Sequence, residues 1–219
     1  MTLKQYLAEP AKTTCTARVL EITHGETMIV RLDRTIFHAQ GGGQKADRGR
    51  IGPTVVIHVT HNADNVDHHV ESTTGLAVGD EVALEVDEAW RRLNAAYHTA
   101  GHLLASVVEN MYPGLQAVSG HQWPGEGRVE FMGELPVEKV SFDDINRRLA
   151  SDLAANLPVV IVGDPFKSRA IKIGGYEPIP CGGTHVSRLG EVGTTIVRSI
   201  KAKSGRIRIS FDASPNHGS

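Results

Sequence analysis

The sequence predicts an α+β protein built in two parts, and three observations predict it. Short runs rich in Val, Ile and Thr, bounded by Gly, Asp or Asn, recur through residue 86 with no helical period longer than two turns between them. At Asp87 the period-2 patterning gives way to a long helical repeat. Beyond it a second helical stretch and several strands make helices packed on a mostly antiparallel sheet. The expected units are therefore 1–86, a small barrel or compact β domain, and 87–219, an α+β domain.

The first unit has candidate strands at Cys15 to Ile22, Met28 to Leu32, Thr54 to Val59 and Val82 to Val86. Asp87 is placed to cap a helix starting at Glu88, where acidic side chains suit the positive end of the helix dipole. Leu93, Ala96, Ala100, Leu103, Leu104, Val107 and Met111 recur at helical spacing until Tyr112-Pro113-Gly114 stops the run. Gln116 to Ser119, a loop at Gly120 to Gly125 and a strand at Arg128 to Phe131 follow. Phe142 to Asn156 reads as a second helix, with Asp143 and Asp144 in its first turn and Ile145, Leu149 and Leu153 as its apolar stripe. Val159 to Val162 and Ala170 to Ile173 are β-branched strands. Thr194 to Ile200 and Arg206 to Phe211 form an antiparallel pair joined by Lys203-Ser204-Gly205, and the tail from Ser214 is expected to fray.

Composition is that of an ordinary globular protein: 219 residues, 40% hydrophobic, enough for a sizeable core. Two cysteines exclude a disulfide framework if one of them binds metal, and point to a reducing compartment. Residues 1–10 are polar and mixed, and no apolar run approaches the roughly eighteen residues of a membrane span, so the expectation is a cytoplasmic protein with no membrane partner. A net charge of -2 argues against indiscriminate nucleic-acid binding.

The chemistry gathers at His98-Thr99-Ala100-Gly101-His102. Two histidines four apart on a helix lie on one face, so both imidazoles can reach one metal ion. In Pro180-Cys181-Gly182-Gly183-Thr184-His185 a thiol and an imidazole are again four apart. Either pair alone is a weak signal, since such histidines are as readily satisfied core residues. Together, His98, His102, Cys181 and His185 make a set of three imidazoles and one thiolate that suits tetrahedral Zn2+ better than magnesium, calcium or a redox metal.

Three further features have two readings each. Gly41-Gly42-Gly43-Gln44 lets the backbone approach a ligand or another segment closely, or is a flexible hairpin tip; it lacks the ending of a phosphate loop. Arg198, Lys201, Lys203, Arg206 and Arg208, with no acidic residue in 196–208, form either a basic nucleic-acid surface or a solvated edge strand. His58, His61, His68 and His69 are taken as surface residues, because adjacent histidines on a strand point to opposite faces.

With these motifs placed, the chain resembles the trans-acting alanyl-tRNA editing proteins (AlaX), free-standing relatives of the editing domain of alanyl-tRNA synthetase. The matching residues are Val86-Asp87 through Arg91-Arg92, His98 to Leu104, Cys181 to Val186, Gly190 to Gly193, and Gly41 to Gln44 with Asp47 and Gly49. The resemblance implies an N-terminal β-barrel, a C-terminal zinc-containing editing domain, and hydrolysis of the ester joining a wrong amino acid to tRNA(Ala), with serine or glycine as that amino acid. It implies tRNA(Ala) as partner, with Gly41, Gly42, Gly43 and Gln44 helping to place substrate and the basic strand meeting phosphates; it implies no stable protein partner. Gly101 departs from the synthetase editing domain, which commonly has threonine there, so Thr99, Gln116 and His121 are the polar groups to examine for reading serine, and His121 and Glu130 are candidate general bases. Four protein ligands would ordinarily mark structural zinc, so whether the metal acts in catalysis is open. The competing readings are a Ser-tRNA(Thr) deacylase, a non-catalytic zinc-stapled tRNA-binding module, and a zinc hydrolase of a small ester or amide.

Overall fold

The computed structural model describes residues 1–203 and 205–215. Ser204, in the expected final turn, and the tail beyond 215 lie outside them, as does the side chain of Lys203. In chain order the strands of the first part are β1 (Leu3–Lys4), β2 (Thr14–Thr23), β3 (Met28–Leu32), β4 (Arg34–Thr35), β5 (Gly49–Ile51), β6 (Thr54–Asn62), β7 (Asn65–Val70) and β8 (Glu81–Val86). Then come helix α1 (Glu88–Met111), β9 (Gln116–His121), β10 (Arg128–Met132), helix α2 (Phe142–Ala154), β11 (Val159–Val162), β12 (Ala170–Ile173), β13 (Ile179–Pro180), β14 (Thr194–Lys203) and β15 (Arg206–Ser214).

Six strands close on one another in the order β2-β3-β7-β6-β5-β8, every pair antiparallel. Alternation puts Val82, Leu84 and Val86 inside while their neighbours face solvent. Register shifts between Val19 and Glu21 and between Val56 and His58 bend β2 and β6, as closure of so small a sheet requires. Ala17, Val19, Val30, Leu32, Ile51, Val56, Val59, Val66 and Leu84 meet in one core with Ile36, Phe37 and Ala39 from the segment after β4.

One expectation fails here. His68 is not at the surface: it is fully buried, its Nδ1 2.9 Å from Val30 O and its Nε2 2.8 Å from Thr35 Oγ1. The opposite-face argument was sound, but a closed sheet has an inside, and one of the two adjacent positions must point into it. Burial drives its pKa down to about 4.

The remaining strands form a four-stranded antiparallel sheet, β14-β15-β10-β9, and a three-stranded one, β11-β12-β13. Helix α1 packs on β9, β10, β15 and α2, and α2 covers β14. Asp87 caps α1, its Oδ1 accepting from Trp90 N at 3.0 Å. The sequence showed one apolar stripe on this helix, yet every residue from Asn94 to Val108 is buried. One side faces the C-terminal core, and the other lies under the glycine-rich loop.

Three smaller corrections concern element ends. Gly120 and His121 belong to β9 rather than to a loop, α2 stops at Ala154, and Ser214 closes β15 instead of starting a frayed tail. Among the described residues no helix is long and apolar enough to cross a membrane.

Candidate metal centre

The loop that follows β4 is held against α1 by a buried ion pair. Arg91, in the first turns of the helix, grips Asp47 with Nε at 3.0 Å from both carboxylate oxygens and with a short Nη2 contact, and also donates to Ile36 O and Pro10 O. Asp47 in return accepts from His38 N at 2.6 Å. Every polar atom of the pair is compensated, which is what allows two charges to be buried. The clamp fixes Gly41 to Gln44 over the next turns of the helix, where His98 and His102 are.

His98, His102, Cys181 and His185 converge, and one ligand atom from each lies within 4.8 Å of the others. Sulfur Sγ of Cys181 is 3.6 Å from Nε2 of His98 and 3.3 Å from Nε2 of His185. The outer nitrogens fix the tautomers. Gln44 Oε1 is 2.7 Å from His98 Nδ1 and can only accept, so Nδ1 carries the proton and Nε2 keeps its lone pair. Thr99 Oγ1 donates to Ala95 O at 2.8 Å, so toward His185 Nδ1, 3.1 Å away, it must accept. Both Nε2 lone pairs are thereby presented to the cluster before any ion arrives. The nitrogen Nδ1 of His102 is buried and has no partner among the described residues.

Burial, with the neighbouring histidines, lowers His98 and His185 well below the usual range, and burial with Arg169 lowers His102 to about 4. Neutral imidazole is the form a metal needs. Burial raises the Cys181 thiol, while Gly183 N–H and Arg169 pull it back; Arg169 Nη1 also donates to Cys181 O at 2.5 Å. The Gly182-Gly183 pair is not symmetrical. A Cβ on Gly183 would lie 2.1 Å from His98 Cε1, whereas Gly182 has open space around it. This neutral, preoriented donor set fits a bound metal ion.

A cleft of about 430 Å3 opens beside the cluster, lined by Gly101, His102, Glu109, Gln116, Gly120 and Gln122 among others. Another cavity, about 490 Å3, reaches His185; Val159, Val160, Ile161, Ile171 and Val186 wall one part of it, and Glu88, Arg92, Arg169 and Glu191 another.

The remaining candidates separate. Gln116 sits exposed at the start of β9, on the rim of the cleft. Thr99 is fully buried and spends its hydroxyl on Ala95 O, His185 and Val186 N, which leaves no valence to read a substrate hydroxyl. His121 does not line the cleft, and its ring lies 4.6 Å from that of Trp123. Glu130 is also absent from the cleft and is held by Arg208 and Arg206, which push its pKa down to about 2; a carboxylate so stabilised is a poor base, and the general-base reading falls. The same contacts change the basic strand. Arg206 and Arg208 are paired with Glu130 and Arg198 with Asp212, so three of its five cations are partly neutralised.

Of the glycine-rich loop, Gly42 lies on the cleft, Gly41 pairs with Gln44 across a tight turn, and Gln44 turns out to support the ligands. The sequence reading missed Gln122. It follows β9 with only 4% of its surface exposed, and a Cβ on Gly101 would fall 2.5 Å from its Cγ. The space it fills is cleared by the neighbouring Gly120 and by two glycines remote in sequence, Gly43 and Gly101, and nothing local announces those two.

A family model described as "tRNA synthetases class II (A)" matches residues 10–90, and one described as "Threonyl and Alanyl tRNA synthetase second additional domain" matches 168–210. The chain is 32% identical over 206 residues to the alanyl-tRNA editing protein AlaX-M of Pyrococcus horikoshii, covering 88% of each. It is 28% identical over 234 residues to AlaX-L of the same organism, covering 96% of this chain and spanning 58% of that relative's length. An alanine–tRNA ligase of Acidithiobacillus ferridurans is 28% identical over 209 residues, 84% of this chain and 24% of the ligase. Two independent lines, a metal-ligand cluster assembled from distant segments and similarity running through almost the whole length of AlaX-M, place the chain in the AlaX family of alanyl-tRNA editing proteins.

Proposed function

We propose that this protein acts in trans on tRNA(Ala) carrying the wrong amino acid, hydrolysing the ester of Ser-tRNA(Ala) and, with less to recognise, Gly-tRNA(Ala). The observation that carries the reading is the four-ligand cluster with a substrate-sized cleft at its His102 side. Similarity to AlaX-M across most of both chains supports a free-standing editing role.

Zinc is the metal the donor set favours. Zn–N near 2.0–2.1 Å and Zn–S near 2.3 Å in a tetrahedron separate sulfur and nitrogen by roughly 3.6 Å, close to the 3.6 and 3.3 Å found here. When bound, zinc would supply a Lewis acid beside the scissile ester. The protein's own part is placement: Gln44 and Thr99 hold the ligand rings, and the cleft walls orient the amino acid on an already reactive bond. We read residues 1–86 as the unit that carries the loop and 87–219 as the deacylase unit; their separate hydrophobic cores support that division. Lys201 and the exposed arginines of β14 and β15 remain our phosphate contacts, in a cytoplasmic protein.

Such an enzyme has a physical reason to exist. A synthetase pocket for alanine cannot strongly reject a substrate that adds one hydroxyl or loses one methyl, so a second sieve is required. The test is incubation with tRNA(Ala) charged with serine, glycine or alanine. Serine release well above the buffer rate, lost on chelation and in His98→Ala, is expected. Release from tRNA(Thr) instead would favour the threonyl-type reading that one matched family description also names. Release from neither would leave a non-catalytic module.

A further inference from the structure

We propose that the side-chain carboxamide of Gln122 is the group that reads the amino acid, hydrogen-bonding the serine hydroxyl in the cleft. This deepens the reading above and rests on it.

Three glycines from three elements clear the space that this side chain occupies. A Cβ on Gly43 would lie 2.0 Å from its Oε1, one on Gly120 2.0 Å from its Nε2, and one on Gly101 2.5 Å from its Cγ. The main chain is also tied, since Gln122 N donates to Gly43 O at 2.9 Å. Yet the carboxamide makes no hydrogen bond: Oε1 is buried without a partner, and Nε2 has none among the described residues. A side chain held this tightly with a fully buried, unpaired carbonyl oxygen is the unusual feature, because such groups are ordinarily paired.

It also faces the right place. Gln122 lines the cleft together with the ligand His102 and with Gly101, directly beside the cluster where the ester would lie. Gln44 is committed to His98 and Thr184 and Thr99 to His185 and Ala95, Gln116 stands exposed on the rim, and Arg169, whose Nη2 is unpaired among the described residues, does not line this cleft. A serine hydroxyl both donates and accepts, so it satisfies the carboxamide whichever end it meets. Alanine and glycine leave the carboxamide unpaired, and that asymmetry disfavours them against serine by the cost of an unsatisfied buried polar group.

The experiment measures binding of non-hydrolysable acceptor ends, seryl and alanyl groups joined to the 3′ position of a short tRNA(Ala) stem by an amide, alongside hydrolysis of the charged tRNAs. Wild-type protein should bind the seryl analogue about 10–100-fold more tightly than the alanyl one, and Gln122→Met, similar in length but without polar ends, should bring the ratio to about one. Metal content and melting temperature of the variant establish that it folds; should it not, Gln122→Asn withdraws the amide by one methylene and should also lose most of the preference. A wild-type protein with no seryl preference, or a folded variant that keeps it, overturns the proposal. The two readings fail differently: hydrolysis of Ser-tRNA(Ala) with an unchanged ratio in the variant removes only the role of Gln122, whereas seryl preference without hydrolysis of any charged tRNA removes only the deacylase.

Discussion

Gln44 and His98, 54 residues apart, are joined by a 2.7 Å hydrogen bond through the same carboxamide oxygen that accepts Thr184 N at 2.9 Å. Its nitrogen donates to Thr184 Oγ1 at 2.7 Å. One side chain from the glycine-rich loop therefore holds both halves of the ligand set, the helix pair and the Cys181–His185 loop, in a single orientation.

Gln44→Leu should weaken zinc binding by about 10–100-fold, the usual consequence of removing an outer partner of a ligand histidine. Competition against a chromogenic chelator measures it. Unchanged affinity would mean that the loop positions substrate only.

Thr99→Val should likewise lower metal affinity, because His185 loses the hydroxyl that accepts from its Nδ1–H. At saturating zinc the ratio of seryl to alanyl hydrolysis should not move. A collapse of that ratio would return Thr99 to the role of hydroxyl reader.

Removing Asp47 leaves the buried guanidinium of Arg91 uncompensated. Asp47→Ala should cost about 3–5 kcal/mol in urea unfolding, and pairing it with Arg91→Met should recover part of the loss. Additive losses in the double variant would show that the two side chains act independently.

The glycines of the loop should differ. Gly42 has φ +58 with open space around it, so Gly42→Ala should cost only about 1–2 kcal/mol of backbone strain. Gly43→Ala would drive a methyl into Gln122 and Gly120 O and should remove serine discrimination as well as stability. Equal effects at both positions in melting and in the seryl-to-alanyl ratio would contradict this packing.

His68 should stay neutral, with its proton on Nδ1, from pH 8 down to pH 5 in nitrogen-detected NMR spectra, because Val30 O can only accept. Its folded pKa, about 4, lies below the unfolded value near 6.5. Between these pH values the unfolded chain binds more protons, so stability falls as pH drops from 6.5 to 4, by up to about 1.4 kcal/mol per pH unit for this one group. His68→Gln should make that acid limb shallower in the metal-free protein.

What the sequence by itself determined was local. A helix brings residues four apart onto one face wherever it packs, so His98 and His102 were legible as a pair, and Asp87 as their helix cap. Cysteine scarcity and an equal spacing then nominated Cys181 and His185. The tertiary structure decided everything that depends on which segments meet. Closure of the first sheet turned His68 inward. The register of β10 on β15 set Glu130 opposite Arg208, removing it as a base and partly neutralising the basic strand. Docking of the glycine-rich loop on α1 gave Gln44 to His98 and left Gln122 unpaired among three glycines. Each of these contacts joins residues far apart in sequence, and strand patterning states which side chains alternate but not which partners they find.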